Sequence, residues 1–227
     1  MREVVDFLRR LHDHNNRSWF EAHKAEWLQL QERVHIFAEG LIEGIAAFDP
    51  AVRGLSVKDC TYRIYRDIRF SPDKSPYKTW LGIFIAPHGK KAGYAGYYFH
   101  LEGDPSDGLT EGHLLFAGLH LPHPTVLRSV REEILDNGAE FEGNIRRAEG
   151  FELDRSEMLR RTPAGFPTGT AVDEWLRLKE VALCRTFGDD FLCGGDLLER
   201  TLAEFRKTTP FVQQLNRAVQ YAYEEMM

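Results

Sequence analysis

Between residues 20 and 45 apolar side chains return at steps of three, four or seven: Phe20, Trp27, Leu30, Val34, Phe37, Leu41 and Ile45. That spacing places them on one face of a helix running to about residue 47. A shorter helix over 3–13 precedes it and is closed by Asn15-Asn16. Ser18 then stands where a cap belongs, with Glu21 three residues on to complete a capping box. From 56 to 121 the pattern changes to short aromatic and β-branched runs between turn residues: SVKDCTYRIYRDIRF, TWLGIFIAP, YAGYYFHLEG and HLLFAGLHLP. They predict four strands, mostly antiparallel because the gaps are too short for crossover helices. Pro124 suits the first position of a helix ending near Asn137-Gly138, and further helices are expected near 139–148, 171–180, 195–207 and 209–225. VALCRTF, 181–187, is a candidate additional strand. The order of elements predicts an α+β fold, a mainly antiparallel central sheet packed by N-terminal and C-terminal helices. No repeat, low-complexity tract or Pro/Gly/Ser-rich linker interrupts it, so residues 1–227 read as one domain.

With 227 residues, 43% of them hydrophobic, the chain can bury a substantial core. The first residues, MREVVDFLRRLHDHNN, are broken by charge every two or three positions, and no run of about twenty apolar residues follows, which excludes a signal peptide and a membrane span. Three cysteines, Cys60, Cys184 and Cys193, without a CxxC spacing, argue against a disulfide framework or a structural zinc and point to the cytoplasm. A pI near 5.9 and the lack of a polybasic tail argue against a nucleic-acid binder.

Charge is unevenly spread. RIYRDIRFSPDKSPYK, 63–78, holds five basic and two acidic side chains, +3 in a chain of net −6, so the rest sums to −9. If 62–70 were one strand, period two would put Arg63, Tyr65, Asp67 and Arg69 on one face and Arg66 on the other with Tyr62, Ile64, Ile68 and Phe70. An inward Arg66 needs a carboxylate, for which Asp73 is a candidate. Pro72 and Pro76 should stiffen the loop that follows, so that Lys74, Tyr77 and Lys78 stand beside Arg63 and Arg69. The expected ligand is an anionic small molecule.

NNRSWFEAHKAEW at 15–27, RIYRDIRFSPDKSPYKTWLG at 63–82, YYFHLE at 97–102, and TPAGF at 162–166 followed by EWLRLKE resemble the blocks of an uncharacterised, mainly bacterial family, domain of unknown function 2461. The resemblance runs along nearly the whole chain. It implies that Asn15, Asn16, Arg17, Trp19, Phe20, His23 and Lys24, and Arg63, Arg66, Asp67, Arg69, Asp73, Lys74, Tyr77 and Lys78, occupy motif positions. It brings no reaction, cofactor or partner. Members often carry a basic residue before the Gly of the PxGF block; here that residue is Ala164, so the resemblance implies no anion site in that loop.

Two functional classes follow from these residues. One is an enzyme acting on a phosphorylated or carboxylated small molecule, with Arg63, Arg69, Lys74 and Lys78 binding the anion, Asp67 as general base and Tyr77 or His23 as proton donor. The other is a binding module for a nucleotide or nucleic-acid end without turnover; a structural protein whose basic stretch is an internal salt-bridge network is the bland alternative. An enzyme keeps Asp67 free of a full salt bridge, and the other readings spend it on Arg63 or Arg69. His113, His120 and His123, with Glu111, do not suit a metal, because 113 and 120 differ in strand parity and Pro122 ends the run. His100, between Phe99 and Leu101, reads first as a hydrogen-bonded sheet residue and second as a base. GxSxG, HExxH, GxxxxGK[ST] and GxGxxG are absent.

Overall fold

The computed structural model describes residues 1–104 and 112–226; Glu111 lies outside them. Helix α1, Arg2–Asp13, buries Val4, Val5, Phe7, Leu8 and Leu11. Helix α2, Arg17–Ala22, is capped by Asn16 and not by Ser18: the Asn16 side chain accepts the Trp19 N–H at 3.0 Å. The expected long helix is interrupted at His23, whose ring stacks on Trp19 and whose Nδ1 reaches the Trp19 carbonyl at 2.8 Å. That carbonyl also receives the His23 N–H, and the chain restarts as α3, Lys24–Ala46, with Trp27, Leu30, Val34, Phe37, Leu41 and Ile45 buried as their spacing required.

Three of the four expected strands form: β1, Trp80–Ile85; β2, Gly96–Glu102; β3, His113–Leu119. The first does not. Ser56 and Asp59 form a capping box on a one-turn helix, α4, Val57–Cys60, and residues 61–79 run irregularly, touching the sheet's pattern only at the isolated bridges Thr61↔Ile83 and Tyr65↔Tyr77. Two causes are local. Pro76 has no N–H with which to extend the Tyr65↔Tyr77 pairing, and Asp67 and Asp73 bond the N–H groups of Arg69 and Ser75 two residues on, offering the backbone turns in place of a ladder. Arg66 is therefore not a core residue. It is half-buried and pairs with Asp73 within the loop. Arg66→Ala should shift the denaturation midpoint by an amount similar to Arg63→Ala and Arg69→Ala, all three small; a much larger loss for Arg66 alone would mean that a buried carboxylate depends on it.

The sheet is completed by β4, Glu152–Leu153, which was not expected, and β5, Val181–Phe187, which was. Its order is β1-β2-β3-β5-β4 with every neighbouring pair antiparallel. Helix α5, Pro124–Asp136, begins at the expected proline; α6 is Gly138–Arg147, and the helix expected over 171–180 is reduced to α7, Asp173–Leu176. Helix α8, Leu197–Glu225, continues through Pro210 where a break was expected. The hydroxyls of Thr208 and Thr209 both turn to the Phe205 carbonyl in the turn before the proline, and Phe205, Phe211, Val212 and Leu215 are fully buried on either side of it. Packing thus outweighs the proline's preference.

Period two decides where the cavity lies. Tyr97, Phe99 and Leu101 of β2, Leu115, Ala117 and Leu119 of β3, and Val181 and Leu183 of β5 are buried on the face covered by α3 and α8, as the ring pairs Phe37 with Phe99 and Tyr97 with Phe205 record. The alternate residues face the other side, which no helix of comparable length covers among the described residues.

Candidate active site

The basic stretch is bound to itself. Arg69 grips Asp67 through both carboxylate oxygens, at 2.9 and 2.6 Å, and this hydrogen bonding holds the Asp67 carboxyl down at about 2. Lys74 donates to the Ile68 carbonyl at 2.9 Å and Lys78 to the Arg63 carbonyl at 3.0 Å. Arg63 makes no ion pair among the described residues. Tyr77 is buried and stacked on Phe20 with ring centroids 4.0 Å apart, and the Asn15 side chain clamps its backbone C=O and N–H at 2.9 and 3.2 Å. Asn15 and Phe20 thus join the first of the two stretches to the second through Tyr77, while His23 stays within the first, stacked on Trp19. Asp67, expected as a free base, is spent on Arg69, the arrangement that favours a binder or a structural network over an enzyme at this position.

A larger concavity lies on the open face of the sheet. Its volume is about 530 Å³, within the range of small-molecule sites. The floor is the alternate residues of the strands: Trp80 and Phe84 from β1, Tyr98 and His100 from β2, Leu114 and Phe116 from β3, and Cys184 from β5. Tyr62, Lys90 and Tyr94 wall it near β1, while Asp154, Ser156 and Glu157 after β4, with His120 and Glu180, wall the far end. None of Arg63, Asp67, Arg69, Lys74, Tyr77, Lys78 or His23 lines it. Lys78 comes nearest, its Nζ standing 4.7 Å from the Trp80 ring centroid and 5.4 Å from that of Tyr62.

The floor carries a hydrogen-bond chain. Tyr98, His100 and Glu102 occupy successive positions on one face of β2, and each contact is 2.8 Å: Tyr98 Oη to His100 Nδ1, and His100 Nε2 to Glu102 Oε2. Glu102 and His100 are 1% and 2% exposed, so the chain leads from the interior to a phenol at the cavity. A carboxylate only accepts, so His100 carries its hydrogen on Nε2 and Nδ1 accepts from the Tyr98 hydroxyl. Burial raises the Tyr98 phenol well above its ordinary pKa. On the next strand, His113 Nδ1 accepts the Glu102 N–H at 3.1 Å and its Nε2 bonds Asp189 at 3.0 Å, fixing the backbone beneath the chain. Gly82, opposite His100 in the β1–β2 register, makes room for the phenol: a Cβ there would stand 2.6 Å from Tyr98 Cε2 and 2.6 Å from Oη.

The far end is acidic. Glu180 bonds His120 Nδ1 at 2.9 Å and raises the His120 pKa, and Glu157 pairs with Lys179 at 2.7 Å. Asp154 accepts the Ser156 N–H at 2.8 Å and makes no ion pair among the described residues, though its charge also helps to raise the His120 pKa. Burial pushes the Cys184 thiol up to about 12, so this sulfur is no ready nucleophile. The signal for the chain was present in YYFHLE as tyrosine, histidine and glutamate at every second position of a strand. What was lacking was a reason to expect that face to be open.

A model of the family described as conserved hypothetical protein (DUF2461) matches residues 3–213. No curated protein and no solved structure matches the chain. No helix among the described residues is long and apolar enough to cross a membrane.

Proposed function

The chain belongs to the DUF2461 family, and since that family's description names no reaction we propose from the geometry that it is a general acid–base enzyme working on a small organic molecule held over the open sheet face. The observation that carries this is the Glu102–His100–Tyr98 chain, whose outer end lines the cavity. A substrate O–H or N–H donates to Tyr98 Oη. As Tyr98 receives that proton it passes its own to His100 Nδ1, and the imidazolium so formed stays bonded to the Glu102 carboxylate. The proton moves from substrate to His100, and no free tyrosinate is required, which the raised phenol pKa would forbid. The reverse passage returns it to a product oxygen or nitrogen. The aromatic floor takes the apolar body of the substrate and excludes water, and the buried carboxylate orients the imidazole. This reading takes up the enzyme alternative that the sequence left open beside a binding module, and moves its base from Asp67 to the Tyr98 chain.

The test is depletion of small molecules from a metabolite extract, followed by mass spectrometry with the native protein and with Tyr98→Phe. A compound consumed by the native protein should persist about 10²–10⁴-fold longer with the variant. Equal consumption by both would remove Tyr98 from the chemistry. A compound that raises the melting temperature but is never consumed would make the cavity a binding site without turnover.

A further inference from the structure

The cavity also indicates which end of a ligand goes where. From β1 to β4 it crosses the whole sheet, and its ionisable walls change sign along the way: Lys90 near β1, and Asp154, Glu157 and Glu180 at the β4 end. The lysine Nζ is turned to the Lys58 carbonyl. At the far end Glu180 and Glu157 have ion pairs, with His120 and Lys179, whereas Asp154, which acts on His120 only through space, makes no ion pair among the described residues and lines the cavity half-buried. A half-buried carboxylate without an ion pair of its own favours a positive ligand group beside it. The neighbouring floor is aromatic, with the Phe116 ring edge-on to His120 at 6.4 Å and to Tyr98 at 6.4 Å, and aromatic faces attract organic cations through their quadrupole.

We propose that the cavity binds an organic ammonium ion, its cationic nitrogen at the Asp154 end and its apolar body over Phe116 and Leu114 toward Tyr98. This deepens the acid–base reading by naming the substrate class of the same site. A carboxylate or phosphate at that end would stand beside Asp154, which has no ion pair, with Glu180 and Glu157 already holding His120 and Lys179, so the anionic ligand expected from the basic stretch is disfavoured in this cavity. The hydrogen presented to Tyr98 is then on a group at the end of that body remote from the ammonium, since two strands, β3 and β5, lie between β2 and β4.

The probes are benzyltrimethylammonium, benzyl alcohol as a neutral aromatic and phenyl phosphate as an anion, each titrated into the native protein with melting temperature and the heat of binding as readouts. The ammonium should raise the melting temperature and bind saturably, the alcohol should bind at least tenfold more weakly, and Asp154→Asn, which keeps an oxygen for the Ser156 N–H, should weaken the ammonium at least tenfold. Equal affinity for ammonium and alcohol, or ammonium binding unchanged in Asp154→Asn, overturns the proposal. So does tighter binding of phenyl phosphate, whether or not Arg63→Ala abolishes it. Tyr98→Phe keeps the ammonium site: if it binds the probe normally while the native protein turns nothing over, the acid–base reading fails alone, and if turnover depends on Tyr98 while the ammonium does not bind, only the ligand class is wrong.

Discussion

Glu102→Ala is expected to lower the free energy of unfolding by about 2–3 kcal/mol, a sizeable share of the stability of an ordinary domain. Glu102 and His100 lie 2.8 Å apart and both are buried, so removing the carboxylate strands the Nε2–H of His100 where water does not reach it. The cost is that of the orphaned donor together with the lost contact. Glu102→Gln keeps an acceptor in the same place and should cost about 1 kcal/mol. Urea midpoints at constant slope separate the two variants. Similar small losses for both would mean that His100 finds another partner or that water enters, and the orientation assigned to the imidazole would lose its support.

Gly82→Ala should cost about 1–3 kcal/mol and break the Tyr98–His100 bond without touching either residue. The added methyl would meet the Tyr98 ring and hydroxyl at 2.6 Å. Phe84 and Phe116 stand edge-on to the ring at 6.2 and 6.4 Å, so the side left to it is the cavity, and a move into that space gives up the bond to His100. Under the proposed acid–base function, the displaced phenol should also abolish substrate consumption. A double-mutant cycle isolates the cause: on a Tyr98→Ala background the methyl has space, so Gly82→Ala should then cost at least about 1 kcal/mol less than in the native protein. Additive losses would place the strain in the strand backbone and leave Tyr98 undisturbed.

The elements were legible where one period dominates. The six apolar residues of α3, the alternation in β2 and β3, and the proline that opens α5 all carry local instructions that tertiary contacts reinforce. The misreadings have local chemistry behind them as well. SVKDCTYRIYRDIRF has strand composition, yet Asp67, Asp73 and Pro76 divert its backbone into turns. A proline reads as a break, yet α8 buries aromatic and aliphatic side chains on both sides of Pro210 and stays continuous.

The basic stretch shows what charge alone leaves open. Its excess of cations is a property of the sequence, and so is the supply of acids seven residues away or nearer; that Arg66 would take Asp73 and Arg69 would take Asp67 depends on how the loop turns. By itself the sequence determined the α+β class, the faces of the principal elements and the presence of Tyr98, His100 and Glu102 on one side of one strand, because these follow from repeats of 3.6 and 2 residues within short segments. Only the tertiary structure decided that α3 and α8 would cover the opposite side, leaving these three residues on the open face and bringing Asp154, His120 and Glu180 to the end of their cavity. Those groups come from segments dozens of residues apart, and their meeting is fixed by which face of the sheet the long helices bury, a choice made by packing across the whole chain.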